Sequence, residues 1–226
     1  MGKMRLSGCV LLMLAGLWPT SALAEELTGR PRIIDGDTLQ LQDTVIRLHG
    51  IDAPETGQSC RGRDGKTLHP GDESVSFMQT ITENGLTCSG TEWDDYGRLV
   101  ARCRTADGTD IGQRMVAQGL AWAFVKYSTE YSPQEAEARA ARRGVWAMNC
   151  QPPWAFRAKR WEAARQQAPE GCPIKGNISK NGRIYHTPWS RDYARTRIDT
   201  ARGERWFCSE KEALAAGWRA PASTRR

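Results

Sequence analysis

The sequence predicts a mainly β fold with α-helices (α+β): a small barrel with helices packed on it, trailed by a small separate module. Three observations carry this. Short segments rich in β-branched residues fill the first third of the chain and are separated by tight turns. Strand-like and helix-like stretches follow in the order βββ–α–ββ–α–α, with short antiparallel connections. A Gln151-Pro152-Pro153 break then opens a stretch of different texture, rich in Gly, Trp, Tyr and Arg.

The elements follow in order. Lys3 and Arg5 precede an apolar run at residues 9–17 that is too short to span a bilayer, and Ala22-Leu23-Ala24 offers small residues at an A-x-A site. This layout predicts a secretory signal peptide over residues 1–24, a mature start near Glu25, delivery to the periplasm or the medium, and no stable membrane insertion afterwards. Residues 30–34, 38–42 and 45–51 predict strands, with Asp35-Gly36 and Asp43-Thr44 as the turns between them. Residues 57–71 are polar and Gly-rich and predict a long surface loop. Asp72 is placed to cap a helix running to about Asn84, with Val75, Met78 and Thr82 on one face and Gly85 as the stop. Residues 86–92 and 98–104 predict paired strands around Asp94-Asp95-Tyr96-Gly97. Asp110 caps a helix ending at Gly119. Ser132-Pro133-Gln134-Glu135 predicts a capping box opening a helix to about Gly144. Residues 25–150 thus form one domain and 151–170 an Ala/Arg-rich connector helix. Residues 171–226 form a small basic module with a second capping box at Ser209 and Glu212.

Composition sets limits. A hydrophobic share of 39% with 26% charged residues excludes a polytopic membrane protein, and nine Trp exclude wholesale disorder. The net charge of +6 is unevenly spread: residues 25–150 hold 14 Lys+Arg against 19 Asp+Glu, and residues 151–226 hold 16 against 7. Of seven cysteines, one falls in the leader. The even remainder predicts disulfides in an exported chain, and no C-x-x-C pair suggests a zinc ribbon. Cys88 and Cys103 flank a hairpin and can face each other, Cys172 and Cys208 bracket the last module, and Cys60 with Cys150 remain by elimination. His186 with Cys172 and Cys208 would give zinc only three ligands, so a disulfide is the favoured reading.

Three local patterns bear chemistry when taken together. Ile34-Asp35-Gly36-Asp37-Thr38 is a turn carrying carboxylates. In Arg47-Leu48-His49-Gly50-Ile51-Asp52-Ala53-Pro54-Glu55-Thr56, a strand presents Arg47 and ends at a Pro-bound turn flanked by Asp52 and Glu55. Trp93-Asp94-Asp95-Tyr96-Gly97-Arg98 is a hairpin tip with an Arg opening the return strand. Asp37 and Asp52 suit a hard divalent cation such as calcium, completed by a backbone carbonyl, waters and a substrate phosphate. Glu55 suits a base that orders or deprotonates water. Paired arginines grip phosphate oxygens with a planar fork that Lys lacks.

The segments IIDGDTLQL, IRLHGIDAPET and WDDYGRLVARC, followed by MVAQGLAWAFV and EARAARRGVW, resemble the thermonuclease (staphylococcal nuclease-like) family over roughly residues 27–147. The resemblance implies a five-stranded OB-type barrel with helices and a calcium-dependent endonuclease acting on DNA and RNA and leaving 3′-phosphates. It implies Asp37, Asp52 and the Ala53 carbonyl as calcium ligands, Arg47, Glu55 and Arg98 as catalytic residues, and Tyr96 as a substrate-phosphate contact. Asp95 stands where the best-known member carries a Lys. Val125 and Lys126 occupy the stretch where an aromatic lines the nucleotide pocket, leaving Phe124 or Tyr127 for substrate binding. A second Cys common shortly after the first in exported relatives is missing here, with Cys150 as its replacement. The last module resembles the "sunset" family. A monomer is expected, and the basic tail is expected to attract nucleic acid at long range. The competing reading is a non-catalytic nucleic-acid or envelope-polymer binder on the same platform.

Overall fold

A computed structural model describes residues 25–221 of the chain. The leader-like segment and its Ala22–Ala24 site lie outside the described residues. Among the described residues no helix is long and apolar enough to cross a membrane.

The mixed α+β expectation holds. A six-stranded sheet has the order β1-β8-β9-β4-β3-β2, built from β1 (Glu25–Gly29), β2 (Arg32–Ile33), β3 (Thr38–Leu41), β4 (Thr44–Leu48), β8 (Leu86–Trp93) and β9 (Leu99–Thr105). Only the β4–β9 pair is parallel. Edge strand β1 comes round to touch β3, so the sheet curls into a half-barrel. Five of its strands are those expected; β1 adds a sixth, pairing Glu25–Gly29 with Gly90–Leu86. The short β5 (Ile51–Asp52) pairs with β10 (Trp122–Ala123). Alternation on β3 and β4 points Leu39, Leu41, Ile46 and Leu48 inward, where they meet Leu99, Met78, Ile111 and Met115 in one core.

The loop expected over 57–71 contains a small hairpin, β6 (Cys60–Arg61) with β7 (Thr67–Leu68). Its turn carries Asp64-Gly65, with Gly65 at φ 79°, the hairpin signal that the loop reading passed over. Helix α1 (Pro70–Ile81) starts two residues before the expected cap. Pro70 pre-sets the first helical φ, so Asp72 sits in the first turn and makes no cap. Asp110 does cap α2 (Ile111–Ala117), accepting from the Gln113 N–H at 3.0 Å. The capping box at Ser132 does not form: Tyr131 is the N-cap of α3 (Ser132–Ala140), with no side-chain cap. Tyr131 instead donates its hydroxyl to Asp110 at 3.1 Å, and Glu135 pairs with Arg139 at 2.8 Å.

Helix α4 (Pro153–Arg165) leads into the terminal module, a sheet of order β12-β11-β13 from β11 (Ile174–Ser179), β12 (Gly182–His186) and β13 (Arg205–Phe207), closed by α5 (Glu210–Ala215). Ile174, Tyr185, Phe207, Ala213 and Trp218 form its own small core, so three of its six aromatics pack inward and Trp189, Tyr193 and Trp206 stay partly exposed. The Ser209 cap forms, accepting from the Glu212 N–H at 3.1 Å, while Glu212 accepts from the Cys208 N–H at 2.8 Å. His186 meets Asn177 at 3.0 Å, not a metal cluster.

All three disulfides reasoned from the cysteine spacing are present: Cys60–Cys150, Cys88–Cys103 and Cys172–Cys208. The Cys88–Cys103 bond joins directly opposed residues of β8 and β9. Cys60–Cys150 spans 90 residues and constrains the unfolded chain most. A Cys60→Ser/Cys150→Ser variant is expected to lose about 2–4 kcal/mol, read as a lower urea midpoint with a steeper slope, because the freed unfolded chain exposes more surface.

Candidate active site

The first acidic turn is built around close approach. A Cβ on Gly36 would lie 2.7 Å from the Ala53 Cβ and 2.9 Å from the Ser74 Cβ, so only Gly lets the 34–38 turn, the 53–55 loop and α1 pack together. Gly71 does the same for the opening of α1, where a Cβ would meet the Glu55 carbonyl at 2.3 Å. Gly36→Ala is therefore expected to cost about 1–3 kcal/mol by overpacking, measured by urea unfolding, because both neighbours are buried.

Asp37 is buried and closely held. Its Oδ2 accepts from the Ala53 N–H at 2.8 Å, its Oδ1 accepts from the Thr38 hydroxyl at 3.0 Å, and its carbonyl accepts from the Leu48 N–H at 2.8 Å. Asp35 supports it by accepting from the Asp37 N–H at 3.0 Å. Burial raises the Asp35 carboxyl above the usual carboxylate range, against the opposing fields of Arg47 and Arg98.

Arg47 projects from β4, where it stands opposite Thr38 on one side and Val100 on the other. One guanidinium nitrogen pairs with Asp37, while the other donates to the Ile51 carbonyl at 3.1 Å and to Asp52 Oδ1 at 3.2 Å. Arg47 therefore bridges both aspartates. The parallel β4–β9 pairing brings the start of β9, and with it Arg98, to the same end of the sheet. Arg98 is aimed by the hairpin tip: Asp94 accepts from its Nε at 2.7 Å, and from the Tyr96 and Arg98 N–H groups at 2.9 and 3.0 Å.

Asp52 is 0% exposed. Glu55 follows on a loop held by Gln58, which donates its N–H to the Glu55 carbonyl at 2.9 Å and accepts the Glu55 N–H at 3.3 Å. Burial pushes the Glu55 carboxyl up to about 8, against the lowering pull of Arg157. Ala53 enters through its backbone, as its N–H bond to Asp37 shows.

Asp37, Arg47, Asp52, Ala53 and Glu55 are thus gathered in one cluster, with Arg98 beside it. Tyr96 and Tyr127 are placed differently. Tyr96 is exposed at the hairpin tip, its ring 5.1 Å from the Arg98 guanidinium carbon. Tyr127 is 68% exposed and meets Phe124 edge-on at 5.0 Å. The Phe124 ring lies stacked against Trp154 of α4, 5.6 Å away and 15° from parallel.

One residue that sequence reasoning missed stands in the middle of the cluster. Arg157 of α4 donates to Asp52 Oδ1 at 3.0 Å and Oδ2 at 2.7 Å, and to Glu55 Oε1 at 2.7 Å. Nothing local marked it, because it is one Arg among several on an Ala/Arg-rich helix more than 100 residues from its partners.

The family model described as staphylococcal nuclease homologue matches residues 45–148. A second, described as ArfC, matches residues 158–220, where the sequence had suggested a sunset-like module. An uncharacterized endonuclease of Escherichia coli O157:H7 is 32% identical over 152 residues, which cover 63% of this chain and 92% of that protein. A micrococcal nuclease of Shigella flexneri is 34% identical over 143 residues, 56% of this chain and 77% of that protein. Endonuclease YhcR of Bacillus subtilis (strain 168) is 26% identical over 221 residues, 89% of this chain and 17% of that protein. With a relative matched over 92% of its own length, and a family match that takes in Arg47, Asp52, Glu55 and Arg98, the chain belongs to the staphylococcal nuclease homologue family and is a hydrolase of the nuclease type.

Proposed function

We propose that the chain is an exported, calcium-dependent endonuclease that hydrolyses phosphodiester bonds of DNA and RNA and leaves 3′-phosphates. The observation that carries this reading is the convergence of Asp37, Arg47, Asp52 and Glu55, from three separate segments, with Arg98 at the same sheet end. Three disulfides support export, since they persist in oxidising compartments.

The donor set fits a hard cation. Two buried carboxylates, Asp37 and Asp52, face a common point, and guanidinium groups now stand on both as positive charges. Among the described residues no group of three or more His, Cys, Asp or Glu side chains forms a metal cage. Asp37 and Asp52 would therefore hold calcium together with the Ala53 carbonyl, water and a substrate oxygen, a mixed oxygen shell of the kind calcium accepts. When bound, calcium supplies positive charge against the phosphate.

The chain's own residues do the rest. Arg47 and Arg98 bind non-bridging phosphate oxygens and offset the charge that grows on them. Glu55 takes a proton from the attacking water as its oxygen bonds to phosphorus and the P–O5′ bond breaks. Gln58 keeps the Glu55 loop in place. Tyr96, at the rim beside Arg98, is a phosphate contact, and Phe124 with Tyr127 offers ring faces for bases to stack on.

Incubation of the purified protein with single-stranded DNA tests this directly. Cleavage is expected with calcium and lost with a chelator. Equal cleavage in both reactions removes the calcium requirement, and salt-dependent binding with no product in either makes the chain a binder.

A further inference from the structure

Helix α4 lies across the carboxylate cluster. It begins at Pro153, three residues after Cys150, whose disulfide to Cys60 ties it to the domain. Three successive turns then dock. Trp154 stacks on Phe124. Arg157, one turn on, forks across both oxygens of the fully buried Asp52 and also holds Glu55. Arg160 and Trp161, a further turn on, reach the terminal module: Arg160 Nε donates to the Pro188 carbonyl at 3.1 Å, and Trp161 packs 6.1 Å from Trp189. That module is itself seated on the loop after Glu55. The Trp189 carbonyl lies 2.2 Å from where a Cβ on Gly57 would stand, and Arg191 pairs with Asp72. Arg157 falls between the two segments that family models match, so neither accounts for it.

A guanidinium and a divalent cation cannot both occupy the oxygens of Asp52. Resting on the calcium reading above, we propose that Arg157 is a built-in competitor for the metal site, so that docked α4 and bound calcium are alternative states. With Arg47 already bridging Asp37 and Asp52, Arg157 supplies the remaining counter-charge on the fully buried Asp52. An incoming divalent ion supplies the same charge and frees Arg157. The coupling is reciprocal: calcium loosens α4, and anything that undocks α4 tightens calcium binding. If the undocked state is about 1–10% populated, calcium affinity is lowered by about 10- to 100-fold.

The test uses the full-length oxidised protein without nucleic acid. Calcium affinity is measured by titration calorimetry for the wild type, Arg157→Gln and Trp154→Ala, and hydrogen exchange of residues 153–165 is followed with and without calcium. Arg157→Gln is expected to bind calcium about 10- to 100-fold more tightly than the wild type. Trp154→Ala, which keeps the guanidinium but unseats its helix, is expected to shift in the same direction by less. Calcium is expected to speed exchange over 153–165 in the wild type. Equal or weaker calcium binding by both variants, with calcium-independent exchange, overturns the competition while leaving the calcium site standing. No calcium binding by any of the three proteins removes the site itself, and the competition with it. If Arg157→Gln fails to fold, Trp154→Ala and the exchange of the wild type decide the matter.

Discussion

Replacing Glu55 with Gln is expected to lower the rate of phosphodiester cleavage by about 10²- to 10⁴-fold while leaving nucleic-acid binding nearly unchanged. The substitution keeps size and hydrogen-bonding reach, so the 53–58 loop held by Gln58 should not move. What disappears is the capacity to take a proton from water. The environment of this carboxyl adds a pH signature. Burial raises it to about 8, so it holds its proton at neutral pH and becomes a base as pH rises through that value. Cleavage by the wild type should climb over that range, and the variant should lose the climb. Single-turnover rates across pH 6–10 and a filter-binding isotherm check both halves. Comparable rates for the two proteins would take Glu55 out of the reaction.

Arg47→Gln is expected to damage stability and activity together. Arg47 bridges Asp37 and Asp52 from within the sheet, and its removal leaves two buried carboxylates with one counter-charge fewer. Breaking a buried pair in this way costs about 3–5 kcal/mol. The loss of a phosphate-gripping fork should also lower cleavage by about 10²- to 10³-fold. Calcium separates the two effects. The ion supplies the missing charge to the aspartates, so it should raise the Tm of the variant more than that of the wild type, yet leave the rate low. A variant as stable as the wild type would show that Asp37 and Asp52 do not depend on this bridge.

The parts of the molecule legible in the sequence are those fixed by local chemistry. The β8–β9 hairpin, the Asp110 cap and the Ser209 cap each depend on residues within a few positions of one another, and all three formed. Asp37, Arg47, Asp52, Glu55 and Arg98 were legible because three short motifs had to work together. The cysteine pairing followed from position and elimination. The misses share a different cause. The cap at Ser132 was displaced because the helix starts one residue early, with Ser132 inside its first turn and Tyr131 as the N-cap, its hydroxyl donated to Asp110. Strand β1 exists only because β8 offers it an edge. Arg157 depends entirely on how α4 is laid down across the barrel, a tertiary fact with no local trace.

The Cys60–Cys150 crosslink acquires a further meaning from where it sits. It closes seven residues before Arg157 on one arm and five residues after Glu55 on the other. A guanidinium on so short a leash is present at its carboxylates at a high effective concentration, which falls when the leash lengthens. Opening that one bond would let the start of α4 drift without touching any residue that meets the phosphate. The same disulfide that fastens the barrel therefore also sets how hard the α4 arginine presses on the acidic cleft.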